Sequence, residues 1–461
     1  MAADDKNMAK VASRFVCQEC GAVLPKWMGQ CDVCRGWNCI VEEATPEVRS
    51  SKSPDVPDDF FVSLSDDIAD TGFSVSRRHL TNSEEFNRVL GGGFVDGSVV
   101  LLGGPPGIGK STLLLQILSD ISGIENYAYI SAEESVKQVM LRANRLGIDN
   151  NRLKIASSSD VHQIIKSVSN LKHNSIVIVD SIQTISSELI QSPPGSISQV
   201  RHCTQELVNL AKNNDIIVTI VGHITKDGAI AGPKTLEHMV DCVLHFEGDK
   251  SYDYRILRGE KNRYGPTDEI GVFSMTGNGL EEVRNPSAAF LSDHSDDVSG
   301  VAVFSGIEGT RPILSEIQAL VSHTNLALPR RASVGFDANR LSMIVAVLTT
   351  RCKINFSNKD VFLNVAGGLK ITEPAADLAV VAAIISATFQ RPLPKQSVFF
   401  GEVSLSGEIR QSHLSFQRVK EAQKLGFTSI FCSHKTDDFE KASELNIRKI
   451  KSIRDVLLLR N

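Results

Sequence analysis

Between Val75 and about Pro286, short uninterrupted apolar runs alternate with longer stretches whose apolar residues recur at helical spacing. The runs SVVLL (98–102), YAYIS (127–131), SIVIVDS (175–181) and DIIVTIVG (215–222) have strand length and no polar face. Strands of that kind suit a parallel sheet covered on both sides. Helices are predicted between them over 111–121, 134–146, 160–171 and 200–213. The alternation gives an α/β layered domain with a mainly parallel sheet. The closely spaced runs VDCVLHFEG, YRILRGEK and EIGVFSM read as further strands joined by hairpins.

The polar stretch LSDHSDDVSG (291–300) interrupts this pattern. Beyond it VAVFSGIEG, VFLNVAGG and SVFFGEVSLSGE read as strands, and NRLSMIVAVLTTRC, PAADLAVVAAIISATF and FQRVKEAQKLG as helices. A second α/β domain is therefore expected over 291–461, after a first over 75–290. Upstream, residues 13–43 are dense in Cys, Gly, Trp and Pro and read as a small separate module. The stretch TPEVRSSKSPDVPDD, with three prolines, cannot bury a core, so residues 44–74 read as a flexible linker.

A length of 461 residues fits two large domains and one small module. The polar start MAADDK does not follow the plan of a signal peptide. The longest apolar stretch, Leu378 to Phe389, is too short to span a bilayer. A cytoplasmic protein with no membrane role is expected. The formal net charge of −5 leaves the partner open, because a local basic channel can sit on an acidic protein. Nine cysteines without an export signal argue against a disulfide framework, and Cys203, Cys242, Cys352 and Cys432 read as core thiols.

The strongest chemical motif is Gly104-Pro105-Pro106-Gly107-Ile108-Gly109-Lys110-Ser111, which fits G-x-x-x-x-G-K-[ST]. It follows the strand SVVLLGG and opens a helix that continues through Thr112, the last of the expected nucleotide-binding residues. The glycines let backbone N–H groups curl around phosphate oxygens, and the helix N-terminus adds a favourable dipole. Lys110 is expected to neutralise the β- and γ-phosphates of ATP, and Ser111 to ligate Mg²⁺. Asp180, closing SIVIVD, fits the carboxylate beside that metal. The base for the attacking water is expected at Glu133, with Glu134 its competitor; either could be a plain acid at a helix start.

Cys17-x2-Cys20 and Cys31-x2-Cys34 are ten residues apart, and four thiolates so placed can close a tetrahedron around Zn²⁺. Redox pairs are the competing reading. Cys39 falls outside the spacing, and Trp27 and Trp37 are expected to pack the module's core rather than stack on bases.

Four features occur in order: FVCQECG…PKWMGQCDVCRGWN, the phosphate loop, VGHITKDGAIAGPKTLEHMVD and KNRYG. Over essentially the whole chain they resemble the RadA (Sms) family of bacterial recombination and repair proteins. The resemblance implies a RecA-like ATPase core forming a homo-hexameric ring on single-stranded and branched DNA. It further implies branch migration beside the RecA recombinase, an N-terminal zinc finger and a C-terminal domain shaped like the Lon protease domain. An ATP-switched mediator that assists RecA without translocating is the alternative. The family pentapeptide K-N-R-F-G stands here as Lys261-Asn262-Arg263-Tyr264-Gly265. By resemblance to ring helicases, Lys261 and Arg263 would act on a neighbour's nucleotide; a solvated basic turn is the other reading.

The loop after DIIVTIVG would face DNA, with Lys226 and Lys234 as phosphate contacts and Gly228 and Gly232 keeping it supple. His223 is a candidate γ-phosphate sensor or a structural histidine, and Arg201 is a further DNA candidate. Matched on the proline of GGLKITEPAADLAV, the Lon serine position is Ala375. The partner lysine falls at about Phe416, with Lys420 a turn too late, so no peptidase activity is expected. Arg330, Arg331, Arg340 and Lys353 are candidates for a basic lining there, against a scattered solvated surface.

Overall fold

The computed structural model describes residues 13–17, 22–33, 35–44, 77–149, 151–171, 174–223, 235–248, 254–291, 298–326, 328–436 and 445–460. The expected linker, Ala44 aside, lies outside them. Two compact units emerge: residues 1–247, 256–271 and 275–281, and residues 248–255, 272–274 and 282–461.

The cysteine-rich module is an antiparallel sheet of β1 (Ser13–Cys17), β2 (Val23–Leu24) and β3 (Ile40–Ala44), in the order β2-β1-β3. Cys17, Leu24, Cys31, Cys39 and Ile40 form its buried cluster. The expectation that Trp27 and Trp37 fill this core is not met, since they are 57% and 70% exposed. Sulfurs and two aliphatic side chains occupy the centre, and Trp27 lies outside, its indole N–H donating to the Ile40 carbonyl at 3.1 Å.

A short hairpin, β4 (Arg78–His79) and β5 (Phe94–Val95), encloses α1 (Glu84–Val89), which starts where the Ser83 hydroxyl accepts from the Phe86 amide. The main sheet of this unit is built from β6 (Val99–Gly104), β7 (Asn126–Ser131), β8 (Leu153–Ser157), β9 (Ser175–Asp180), β10 (Ile217–His223), β11 (Cys242–Glu247), β12 (Tyr254–Asn262), β13 (Ile270–Thr276) and β14 (Gly279–Glu282). Its order is β14-β13-β12-β11-β6-β10-β9-β7-β8, parallel from β11 through β8. The strands read as continuous apolar runs are buried along their length, as sheets covered on both faces require. Alternate residues serve the two faces. Val99, Leu101, Val177, Val179, Val218 and Ile220 share one cluster with residues of α4 (Val161–Val168) and α5 (Ile197–Asn214). The four expected helices are present, the first two as α2 (Lys110–Ile117) and α3 (Val136–Arg145). Strand β8, a half-exposed sheet edge, had no apolar run to announce it.

The second unit carries a seven-stranded sheet ordered β17-β18-β16-β15-β19-β22-β23 among the described residues. Its strands are β15 (Val301–Glu308), β16 (Arg311–His323), β17 (Arg331–Val334), β18 (Lys359–Val365), β19 (Ser397–Phe399), β22 (Ser429–Ser433) and β23 (Asn446–Ile450). A small pair, β20 (Glu402–Val403) and β21 (Ile409–Arg410), lies apart. Helix α6 (Thr235–Met239), in the first unit, and α7 (Pro286–Phe290), in the second, are single turns. The larger ones are α8 (Ala338–Cys352), α9 (Asp377–Phe389) and α10 (Ser415–Lys424). Helix α9 is apolar all round and buried from Asp377 through Ser386, as a central core helix must be.

Ala375 is buried in the turn before α9, and Phe416 is exposed on α10. Between those segments lies an ion pair. Arg418, 1% exposed, donates to both oxygens of Glu373, to the Ser305 carbonyl at 2.6 Å and to the His413 carbonyl at 3.0 Å. Removing one partner of a buried pair strands the other charge. Arg418→Ala is expected to destabilise this domain by about 3 kcal/mol, the low end of such losses because the Glu373 side chain keeps 24% exposure. Hydrogen exchange through α9 and β15 measures it; unchanged protection would refute the assignment.

Candidate nucleotide site

Strand β6 ends at Gly104, and the chain turns directly into α2. Gly107 and Gly109 take φ of 77° and 116°, which side chains with a Cβ resist. At Gly109 a Cβ would also come within 2.9 Å of Met275 Cε. Pro105, Pro106 and Ile108 complete the turn, Ile108 pointing inward, and Thr112 follows in the first turn of α2.

Parallel register levels the strand ends above this loop, pairing His223 with Gly104 and Ser131 with Asp180. Lys110 is buried, and its Nζ donates to the Gly104 and Pro105 carbonyls at 2.8 and 3.0 Å. It also lies 3.2 Å from His223 Nδ1. Burial lowers the Lys110 pKa, while the charges of Asp180 and Glu133 oppose the shift. Asp180 accepts from the Ser111 hydroxyl at 2.6 Å and from the Tyr129 phenol. Burial, then the Asp180 charge, pushes the Tyr129 pKa far up, so its proton stays on that bond. A hydroxyl and a carboxylate held together beside a phosphate loop fit the Mg²⁺ shell of a nucleotide site.

His223 Nε2 lies 3.1 Å from Glu133 Oε1, which also accepts from the Ser181 hydroxyl. Burial by itself would raise the Glu133 pKa, but the bonds from Ser181 and His223 and the charge on Lys110 leave it lowered. Lys110 as donor leaves His223 Nδ1 the acceptor and puts its proton on Nε2, facing Glu133. Glu134 points elsewhere, taking a 2.6 Å bond from Arg142. Tyr129 and Ser181 were not singled out in the sequence: one lay hidden in an apolar run, and the other followed the expected metal residue.

KNRYG lies at the opposite end of the same strands. Arg263 N donates to the Asp241 carbonyl, and Asp241 N to the carbonyl of Val99, where β6 begins. Gly104 lies five residue steps along β6 from Val99, roughly 17 Å. Asp241, buried, collects Arg263 at 3.1 Å, Lys212 at 2.7 Å and the Val99 amide at 3.0 Å. Burial would raise the Asp241 pKa, but these partners leave it lowered. Lys261 donates to the carbonyls of Glu237 and Val240 at 2.6 and 2.8 Å. The hydroxyl peculiar to Tyr264 accepts from Lys212 at 3.3 Å. Arg263 keeps 54% of its side chain exposed.

Lys226 and Lys234, with Gly228 and Gly232, lie outside the described residues. Arg201 is exposed on α5. Arg330 and Lys353 are exposed, whereas Arg331 donates to the carbonyls of Arg330, Lys359 and Phe356. Arg340 corrects the expected basic lining. Its guanidinium is locked on the buried Asp377 through two 2.6 Å bonds, so its charge is neutralised within the domain.

In the small module Cys17 and Cys31 are fully buried. Cys31 heads a tight turn, its amide donating to Gly36 and its carbonyl accepting from Arg35. Cys20 and Cys34 lie outside the described residues, and among the described residues three or more metal-binding side chains do not converge. The two buried thiols in a core too small to fold by apolar burial fit a structural thiolate metal.

The sheet order, the glycine loop opening α2 and the acids at the strand ends define a RecA-like P-loop ATPase domain. A metal ribbon precedes it, and a Lon-like α/β domain follows. Residues 72–229 match a family model described as an AAA domain, residues 15–42 a rubredoxin metal binding domain, and residues 319–436 the subunit ChlI of Mg-chelatase. The DNA repair protein RadA of Rickettsia felis is 48% identical over 98% of this chain and 100% of its own length. That of Bacillus subtilis is 48% identical over 98% of this chain and 99% of its own. A solved RadB recombinase is 25% identical, with a TM-score of 0.37 over 44% of this chain and 99% of the other. The chain belongs to the RadA family of bacterial DNA repair proteins. No described helix is long and apolar enough to cross a membrane.

Proposed function

We propose that the chain is a cytoplasmic, DNA-dependent ATPase that works in homologous recombination as a hexameric ring and drives branch migration beside RecA. The observation that carries this reading is the placement of two sites at opposite ends of one sheet. Lys110, His223 and Glu133 stand over the phosphate loop, while Lys261 and Arg263 stand roughly 17 Å along the strands. A guanidinium so placed cannot reach its own nucleotide, but a neighbouring copy stacked head to tail would present it to the next site.

In this reading Gly104 through Thr112 wrap the phosphates of ATP, the residues after Pro106 offering backbone N–H groups, and Lys110 leaves its carbonyl partners to neutralise them. Ser111 and Asp180 would hold Mg²⁺, whose charge offsets that of the β- and γ-oxygens. Glu133 orients the attacking water and takes its proton. His223, touching both Lys110 and Glu133, couples phosphate occupancy to the base. Lys226, Lys234 and Arg201 would meet single-stranded or branched DNA, with Arg330 and Arg331 adding contacts from the second unit. Cys17, Cys20, Cys31 and Cys34 would hold Zn²⁺. The domain assignment is 13–43, 75–290 and 291–461, with residues 44–74 as linker.

The test is ATP hydrolysis with and without single-stranded DNA, beside Lys110→Ala. DNA should stimulate turnover, and the variant should lose on the order of 10²-fold. Firm DNA binding without DNA-dependent turnover would overturn the motor in favour of an ATP-switched mediator.

A further inference from the structure

Two hydroxyls hold the carboxylate of Asp180, and only one of them belongs to the phosphate loop. Ser111 Oγ and the Tyr129 phenol both donate to the same oxygen, Oδ2. Tyr129 lies inside β7, where 1% of its surface is exposed. The other Asp180 oxygen, Oδ1, accepts no hydrogen bond among the described residues.

The ladder explains how a strand residue reaches that carboxylate. Ser131 is the residue of β7 that pairs with Asp180, and side chains two apart on a strand share a face. Tyr129 therefore stands on the face of Asp180, two steps back along the neighbouring strand, roughly 6.6 Å. A serine or threonine hydroxyl stays beside its own Cβ and cannot cross that step, whereas a phenol does. The donor is also uncharged. An arginine or lysine there would cancel the charge that a carboxylate offers a divalent cation. A phenol fixes the carboxylate and leaves that charge in place.

We propose that Tyr129 is a positioning residue for metal binding at the nucleotide site, its hydroxyl holding Asp180 in the orientation that Mg²⁺ with ATP requires. Outer partners of metal-binding groups typically set metal affinity by about 10- to 100-fold. Their loss leaves the contacts between the loop and the phosphates in place. This inference rests on the nucleotide-site reading, but not on DNA, the ring or the motor. Tyr127 supplies the contrast. It lies two residues earlier in the same strand, fully buried, and its hydroxyl bonds only to backbone groups of Ile121 and Ile124. Tyr127→Phe thus removes the same group from the same strand without touching Asp180.

The test uses the full-length protein and its Tyr129→Phe and Tyr127→Phe forms. Binding of a fluorescent, non-hydrolysable ATP analogue is measured in EDTA and at rising Mg²⁺, and Mn²⁺ bound beside the analogue is followed by electron paramagnetic resonance. Tyr129→Phe should need about tenfold more Mg²⁺ at the midpoint and hold Mn²⁺ correspondingly less tightly. Its binding of the analogue in EDTA should match that of the parent chain. Tyr127→Phe should lower the thermal midpoint of unfolding and leave the Mg²⁺ midpoint unmoved. In an Asp180→Asn chain, Tyr129→Phe should add no further shift, because the two residues act as one unit. The proposal is overturned if Tyr129→Phe keeps the parental Mg²⁺ midpoint, or if its binding in EDTA falls by the same factor. Equal shifts in the two tyrosine variants, or an additive shift in the Asp180→Asn chain, also overturn it. A parent chain whose analogue binding ignores Mg²⁺ would instead remove the metal reading of the site, and this inference with it.

Discussion

Glu133→Gln is expected to lower ATP turnover by about 10³-fold while leaving ATP binding intact, as removal of a general base does. The carboxylate is poised by its surroundings. Ser181 and His223 both bond to Oε1, and Lys110 lies on the far side of the same imidazole. A glutamine fills the same space and can bond Ser181 and His223, but it cannot accept a proton from water. Glu134→Gln serves as the contrast. That residue pairs with Arg142 at a half-exposed position, where an ion pair contributes about 1 kcal/mol or less. Its turnover should stay near that of the parent chain, and equal losses in the two variants would sink the assignment. The lowered Glu133 pKa sets the acid limb of the rate profile. The base is ionised above the ordinary carboxylate range, so turnover should fall only as pH drops below it. Ser181→Ala removes a stabilising bond and should move that limb upward.

Arg263→Ala should cost about 10³-fold in turnover, the lower range for a guanidinium that stabilises phosphoryl transfer. The decisive measurement is subunit mixing. Arg263→Ala keeps an intact phosphate site, and Glu133→Gln keeps an intact Arg263. In a ring where the arginine acts on its neighbour, equal mixing pairs one intact site with one intact arginine at roughly a quarter of the interfaces. Each variant alone is slowed about 10³-fold, and their mixture should recover up to that share. No recovery would place Arg263 within its own subunit's chemistry or outside the reaction. Asp241 gives this prediction its structural context, because it holds Arg263 and Lys212 on one buried carboxylate. Loss of the arginine leaves that carboxylate paired with Lys212, so the fold should persist.

The core strands of the ATPase domain were legible because a strand buried on both faces must be apolar throughout. The phosphate loop was legible because a glycine turn between strand and helix has few substitutes. Strand β8 was not, since an exposed edge exerts little selection on its side chains. Nor were the tryptophans: their composition suggested a core, but the small module fills its centre with sulfur, Leu24 and Ile40. Arg340 read as a surface cation until α9 brought Asp377 against it.

Residue type and local spacing by themselves determined which side chains could bind phosphate, carry a metal or accept a proton. They put Glu133 ahead of Glu134 but kept Glu134 as its competitor, because adjacent acids at a helix start have similar local chemistry. The tertiary structure gives the two acids different surroundings, setting Glu133 beside His223 and Ser181 and turning Glu134 toward Arg142. It likewise set Asp180 against Ser111, and Asp241 at the far end of the strands. Glu134 and Arg142 apart, those partners are separated by tens of residues in the chain, and only the sheet fixes their distances.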